Sequence, residues 1–305
     1  CHRRDITLCL YYSVADMHHP NYPSAGRSYE RKDAAPGDAP NLDKYLAYVE
    51  AQVRELCTNY GEIGAFWWDA NVLGHKDPRF RDLIRSLQPG ALINGRGFDG
   101  KWPEDDPGDF STPERDYDAS GEQLLAFTKP TEACQSVGIE SWGYRASEDY
   151  YTDAYLIRSI DKMMAKGANY LLNIGPRPDG ALPEQAVRIL SVIGDWYNRV
   201  QESFTDVVPA SELTSNREVL LTRRGNTLYV HCHTPPRGTA VILAPLAVQP
   251  RSATLLNTGE PVETRLERLP ERWQEEEPCL RLYNLPVNEH PDTALVVKLE
   301  FDQLP

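Results

Sequence analysis

Through the first two hundred residues of this chain, strand-like runs alternate with helix-like ones, and the strands stop on residues that do chemistry. The runs "ITLCLYYS" (6–13), 63–68, "ALING" (91–95), "VGIESWGY" (137–144) and "NYLLNIG" (169–175) are rich in β-branched and aromatic residues and are bounded by turn formers. Between them, Leu42, Tyr45, Leu46, Val49, Val53 and Leu56 recur at helical spacing behind a capping Asn41. Further helices are expected from the Asp77-Pro78 pair to Leu87, over 150–166, and from Pro183 to about Val200. Such alternation predicts an α/β fold with a parallel sheet. Ser13, Asp69, Asn94, Trp142 and Asn173 then gather at the carboxyl ends of the strands, as on the active face of a (β/α) barrel of TIM type.

After Phe204 the texture changes. Short runs such as "EVLLTRR", "TLYVHCH", "TAVILA", "ATLLN", "LRLYNL" and "ALVVKL" alternate with turn signals, which predicts a C-terminal antiparallel β-sandwich. The expected division is a catalytic β/α-barrel domain over 1–205 and a sandwich domain over 206–305.

Composition removes several classes of function. The net charge of −13 gives a nucleic-acid backbone no basic stripe to meet. No apolar run reaches the roughly 18 residues of a membrane span. The six cysteines are scattered without a CxxC pair, so free thiols are expected in place of a disulfide framework or zinc site. The adjacent His18 and His19 lack metal-ligand spacing, and Gly95, Gly97 and Gly100 do not form a phosphate loop. No metal or organic cofactor is expected.

The stretch "IGAFWWDANVLGH" is the most telling one. Apolar bulk builds through Phe66, Trp67 and Trp68 and stops on one carboxylate, Asp69. A retaining glycoside hydrolase needs two carboxyl groups roughly 5–5.5 Å apart, one as nucleophile and one as acid/base. A strand-end aspartate backed by an aromatic wall fits the first role, because aromatic faces stack on sugar rings. For the second, segment 96–136, expected to be mostly irregular, offers Glu104, Asp105, Asp106, Asp109, Glu114, Asp116, Asp118, Glu122 and Glu132, and composition does not choose among them.

The segments "LYYSVADMHHPNYP", "FWWDAN", "LINGRG", "GDFSTPE", "ESWGYR" and "KGANYLLNIGPRPDGAL", followed by "IGDWY", stand in an order that resembles the α-L-fucosidases of glycoside hydrolase family 29 over roughly residues 9–200. The resemblance implies a nucleophile at Asp69 and an acid/base at Glu114, with Glu132 as the alternative acid/base. It also implies a supporting Arg96, a pocket-lining Tyr11 with Tyr12 as its near alternative, and pocket walls at Trp68 and Trp142. The implied activity is release of terminal α-L-fucosyl residues from a fucosylated glycan or small fucoside by double displacement. The family context suggests a secreted, periplasmic or lysosomal-type setting.

The same resemblance implies earlier strands, carrying fucose-binding histidines, ahead of 6–13. Five strands are expected where a closed barrel of this kind has eight. The strand at 6–13 is therefore expected to offer an apolar edge that a second copy or a partner segment covers. A chain lacking those strands has a second possible role, as a catalytically impaired carbohydrate-binding or assembly protein.

Overall fold

The computed structural model describes residues 1–23, 36–70, 76–98, 108–115, 126–268 and 278–304. Of the expected acids, Glu104, Asp105, Asp106, Asp116, Asp118 and Glu122 lie outside these residues, as does Gly100. The chain forms two compact units, Cys1–Thr112 and Pro113–Pro305.

The first unit is built on a parallel three-stranded sheet, in the order β1 (Cys9–Ser13), β2 (Ala65–Asp69), β3 (Leu92–Ile93). Two helices, α1 (Leu42–Asn59) and α2 (Arg79–Leu87), connect the strands. The Asn41 side chain accepts from the Lys44 backbone N–H at 3.0 Å, so the expected cap forms. Asp77 also holds the start of α2, accepting from the Arg79 N–H at 3.2 Å. The register aligns Tyr11 with Trp67 and Ser13 with Asp69. Alternate residues of a strand face opposite sides. Phe66 and Trp68 therefore turn inward with Val49, Val53, Phe80, Ile84 and Phe98 to form the core, while Trp67 and Asp69 share the other face.

Gly97 illustrates how tightly this unit is drawn. Its φ is 78°, and a Cβ there would lie 2.8 Å from Cγ of Trp68. Gly97→Ala would meet both a left-handed backbone and a clash with a buried indole, so we expect a loss of roughly 2 kcal/mol or more. Denaturant titration followed by tryptophan fluorescence measures this, and a loss below about 0.5 kcal/mol would contradict the packing described.

The second unit holds a parallel pair, β4 (Glu132–Ser136) and β5 (Asn169–Asn173), with helices α3 (Asp153–Ala165) and α4 (Glu184–Val200). It continues into β6 (Val208–Pro209), β7 (Leu220–Arg224), β8 (Thr227–Cys232), β9 (Val241–Leu243), β10 (Ser252–Leu255), β11 (Glu260–Pro261), β12 (Glu263–Glu267), β13 (Cys279–Tyr283) and β14 (Leu295–Glu300). These form two antiparallel sheets, ordered β11-β10-β14-β8-β7-β6 and β12-β13-β9. One core fills the space between them, including Leu228, Val230, Val297 and Leu299 from the larger sheet and Leu243, Leu280 and Leu282 from the smaller.

One expectation changes here. The fourth strand is "EACQS", one segment earlier than "VGIESWGY", whose residues form bends after the strand. Cys134, Gln135 and Ser136 are all buried, so this strand shows no polar–apolar alternation to betray it. The texture change near 205 lies within the second unit. Tyr229 and Val296, on the outer face of the larger sheet, share a core with Ile157, Ile160, Trp196 and Val200 of α3 and α4. Thus β8 is buried on both faces, and the helices before 205 pack directly on the strands after it. Cys57, Cys134, Cys232 and Cys279 are buried free thiols, while Cys1 and Cys9 are exposed.

Candidate functional site

In the first unit, the chemistry gathers at the carboxyl end of β2. Asp69 is 31% exposed and both its oxygens are engaged. The Tyr11 hydroxyl donates to Oδ2 at 2.5 Å, and the Arg96 guanidinium donates to Oδ1 at 2.8 Å. Arg96, only 11% exposed, is itself fixed. Its Nε donates to Thr112 Oγ1 at 2.9 Å and its Nη2 to the Thr112 carbonyl at 2.8 Å. The guanidinium also lies 4.7 Å over the Trp67 ring, on which Tyr11 stacks at 5.6 Å. A carboxylate held at both oxygens by a phenol and a cation has one orientation, which an attacking group requires.

The backbone around Asp69 is equally determined. The buried Asn94 side chain accepts from the Trp68 N–H at 2.8 Å and donates to the Trp68 carbonyl at 2.9 Å, extending the β2–β3 ladder by an amide in place of a peptide. Ala70 then takes a φ of 56°, rare for a residue with a Cβ, and its carbonyl accepts from Gly97. Backbone strain of this kind concentrates at functional sites.

Trp68 does not line this site. It is 1% exposed, with its ring packed edge-on against Phe80 and Phe98. The aromatic wall beside Asp69 is Trp67, and the period-two rule applied to "FWWD" already separates Trp67 and Asp69 from Trp68. Tyr12 faces away for the same reason, donating to Gln52 Oε1 of α1, with burial pushing its phenol pKa well up. His19 stacks on Tyr48 and His18 is exposed. Among the described residues, no group of three or more potential ligands is arranged to hold a metal ion. Thr112 and Asn94 contribute through their contacts to Arg96 and Trp68, which no motif spacing announces.

Arg96→Lys leaves a single nitrogen where three guanidinium nitrogens now make three bonds and the plane stacks on Trp67. We expect turnover to fall by roughly two orders of magnitude with a smaller change in KM, as steady-state kinetics would measure.

In the second unit, the carboxyl ends of β4 and β5 hold the "SWGY" loop. The Trp142 carbonyl accepts from Asn173 Nδ2 at 2.6 Å, and the Arg115 guanidinium lies 4.7 Å over the half-exposed indole. Arg115 also donates to Ser136 Oγ at 3.0 Å and to the Ile139 carbonyl at 2.5 Å. A Cβ on Gly175 would sit 2.4 Å from the Gly143 carbonyl carbon, so the glycines of "SWGY" and "NIG" serve a backbone-on-backbone crossing. Glu114 pairs in parallel with Cys134, midway along β4, and Arg115 follows at φ 55°.

Glu132 stands at the other end of β4, in register with Asn169 at the start of β5. Four residues of strand, about 13 Å, separate it from Ser136. The alternative acid/base is thus at the amino end, away from Trp142. An exposed carboxylate at the carboxyl end of β4 is Glu140, directly before Ser141 and 3.8 Å from Arg145.

Comparisons with known proteins show which family the chain resembles. The family model for alpha-L-fucosidase matches residues 1–202. The tissue alpha-L-fucosidase of Macaca fascicularis is 28% identical over 268 residues, 83% of this chain and 54% of that protein. The alpha-L-fucosidase of Dictyostelium discoideum is 26% identical over 82% of this chain and 54% of its own length. The structure of alpha-L-fucosidase isoenzyme 1 from Paenibacillus thiaminolyticus superposes with a TM-score of 0.73 at 29% identity, covering 99% of this chain and 73% of that one. The scaffold shared with these proteins is a glycoside hydrolase fold. The chain belongs to the alpha-L-fucosidase family, glycoside hydrolase family 29. It spans about half the length of these curated relatives.

Proposed function

We propose that this protein hydrolyses terminal α-L-fucosyl residues from glycans or small fucosides by double displacement with retention. The observation that carries the reading is Asp69 at the end of β2, locked by Tyr11 and Arg96. Asp69 attacks the anomeric carbon while Glu114 protonates the leaving oxygen. Glu114 then takes a proton from the water that opens the glycosyl–enzyme ester. Tyr11, Trp67 and Trp142 wall the sugar, and no cofactor takes part.

The five parallel strands belong, in this reading, to a partial (β/α) barrel, and the expected domain limits of 1–205 and 206–305 describe its sequence halves. Further strands, from a partner segment or a second copy, pair along β1. That strand is the edge of its sheet, and it leaves Tyr11 63% and nearby Ile6 58% exposed. Light scattering at micromolar concentration tests this for the protein by itself; a monomeric mass counts against a second copy.

Release of nitrophenol from nitrophenyl α-L-fucoside, against a panel including the α-L-galactoside, tests the activity. Replacing Glu114 and Glu140 separately by Gln identifies the acid/base, since only the true one slows substrates with poor leaving groups more than activated ones. The exposed β1 edge also favours a second reading, a carbohydrate-binding or assembly protein without turnover. Saturable fucose binding with no release after long incubation would establish it over the first.

A further inference from the structure

Along α3, Tyr155, Arg158, Ser159 and Lys162 follow the spacing i, i+3, i+4, i+7 and share one face. Opposite them, His233, Thr234 and Pro235 leave the end of β8. Between the two lies a cleft of about 320 Å³, lined also by Thr152. That volume is at the lower end of the range small-molecule sites occupy, roughly 300–1,000 Å³. None of these residues belongs to the candidate active site, and all lie in the second unit.

Two basic side chains line this cleft. Arg158 and Lys162 place like charges one helical turn apart, which is unfavourable by itself. Arg158 donates through Nη2 to the Pro291 carbonyl at 2.7 Å, while its Nε is buried without a hydrogen-bond partner. Among the described residues no carboxylate lies within ion-pair distance of it. Burial lowers its pKa, and the exposed Asp292 offsets this only in part. His233 is 5% exposed, and its Nδ1 has no hydrogen-bond partner. Burial, with Lys162 adding to it, pushes its pKa down to about 4 against the pull of Asp161, so the ring is neutral at pH 7. The carboxylates on the same helix are committed elsewhere, Asp153 to Arg188 and Asp161 to His231. The Arg158 guanidinium and the His233 ring both line the cleft, and each has one buried nitrogen without a hydrogen-bond partner, which is costly. An oxyanion in the cleft meets the guanidinium's charge. The half-exposed Tyr155 ring, stacked on Tyr151, and Pro235 add an apolar wall of the kind that takes the face of a sugar ring.

We propose that the cleft between α3 and the end of β8 is a binding site for an acidic sugar, one carrying a carboxylate or sulfate on a single pyranose. Arg158 and Lys162 take the oxyanion, His233 donates to it, and Tyr155 and Pro235 contact the ring.

The test is NMR of the full chain carrying ¹³C-labelled histidine, following the His233 ring signals during titration. Glucuronate and galactose 6-sulfate are the probes, with glucose and inorganic sulfate as controls. We expect saturable shifts with both acidic sugars, dissociation constants at least about tenfold weaker in Arg158→Gln and in Lys162→Gln, and unchanged binding in Asp69→Asn. The Lys162 variant leaves the Arg158–Pro291 bond in place, so it reports on the cleft even if Arg158→Gln disturbs the fold. Absence of saturation with either acidic sugar overturns the proposal. So does equal binding of glucose, inorganic sulfate matching the acidic sugars, binding that survives both substitutions, or binding lost in Asp69→Asn.

Discussion

Asp69→Asn is expected to remove fucoside hydrolysis almost completely, by roughly three orders of magnitude or more, because the amide has no anionic oxygen to bond to the anomeric carbon. The substitution is nearly isosteric. The Tyr11 hydroxyl and the Arg96 guanidinium can still donate to the single amide oxygen, though not at both positions, so the fold should persist. Asp69→Gly sharpens the test. It clears space at the end of β2, and a small external nucleophile such as azide should restore turnover and give the glycosyl azide of inverted configuration. If Asp69→Asn retains more than about a tenth of the parent activity, Asp69 is not the nucleophile. If the parent releases nothing, the binding-protein reading gains.

The second large effect is on stability. Asp161 of α3 and His231 of β8 are both completely buried, with Oδ1 and Nδ1 2.8 Å apart. The Thr222 hydroxyl gives its one hydrogen to the Ser203 carbonyl at 2.8 Å, so towards His231 Nε2, at 3.0 Å, it accepts. The ring therefore donates from Nε2, and its Nδ1 lies against Asp161. Asp161→Ala strands that imidazole inside the unit with no acceptor. The expected cost is about 3–5 kcal/mol, and the melting midpoint drops by roughly 10 °C. The double replacement Asp161→Leu with His231→Phe should cost clearly less than the two single replacements summed, because it removes both partners of a buried pair. A loss under about 1 kcal/mol for Asp161→Ala, measured by calorimetry, would mean the pair is not the clamp between α3 and the larger sheet.

These two sites differ in how far the sequence announces them. Asp69 is visible as a lone acid ending an aromatic strand, and Arg96 as an ordered member of a family motif. Which tryptophan faces the acid follows from strand periodicity alone, yet motif matching by itself selects Trp68, the buried one. The Asp161–His231 pair has no local signal. Its members are 70 residues apart, one in an ordinary amphipathic helix and the other in a strand buried on both sides. The edge strand β12, "ETRLE", is similarly quiet, since a strand with one covered face and a charged sequence reads as loop.

By itself, then, the sequence determined the α/β beginning and the all-β end, the main helices with the Asn41 cap, the family, and Asp69 as the acid to watch. Those properties are written in neighbouring residues, through helical and strand periods, capping chemistry and ordered motifs. Tertiary structure alone decided that the chain divides into two compact units after Thr112, that Glu132 sits at the amino end of β4, that Thr112 and Asn94 brace the end of β2, and that a cationic cleft opens beside α3. Each of these depends on which distant residues become neighbours, a matter of burial and register summed over the whole fold, and no short stretch of chain carries it.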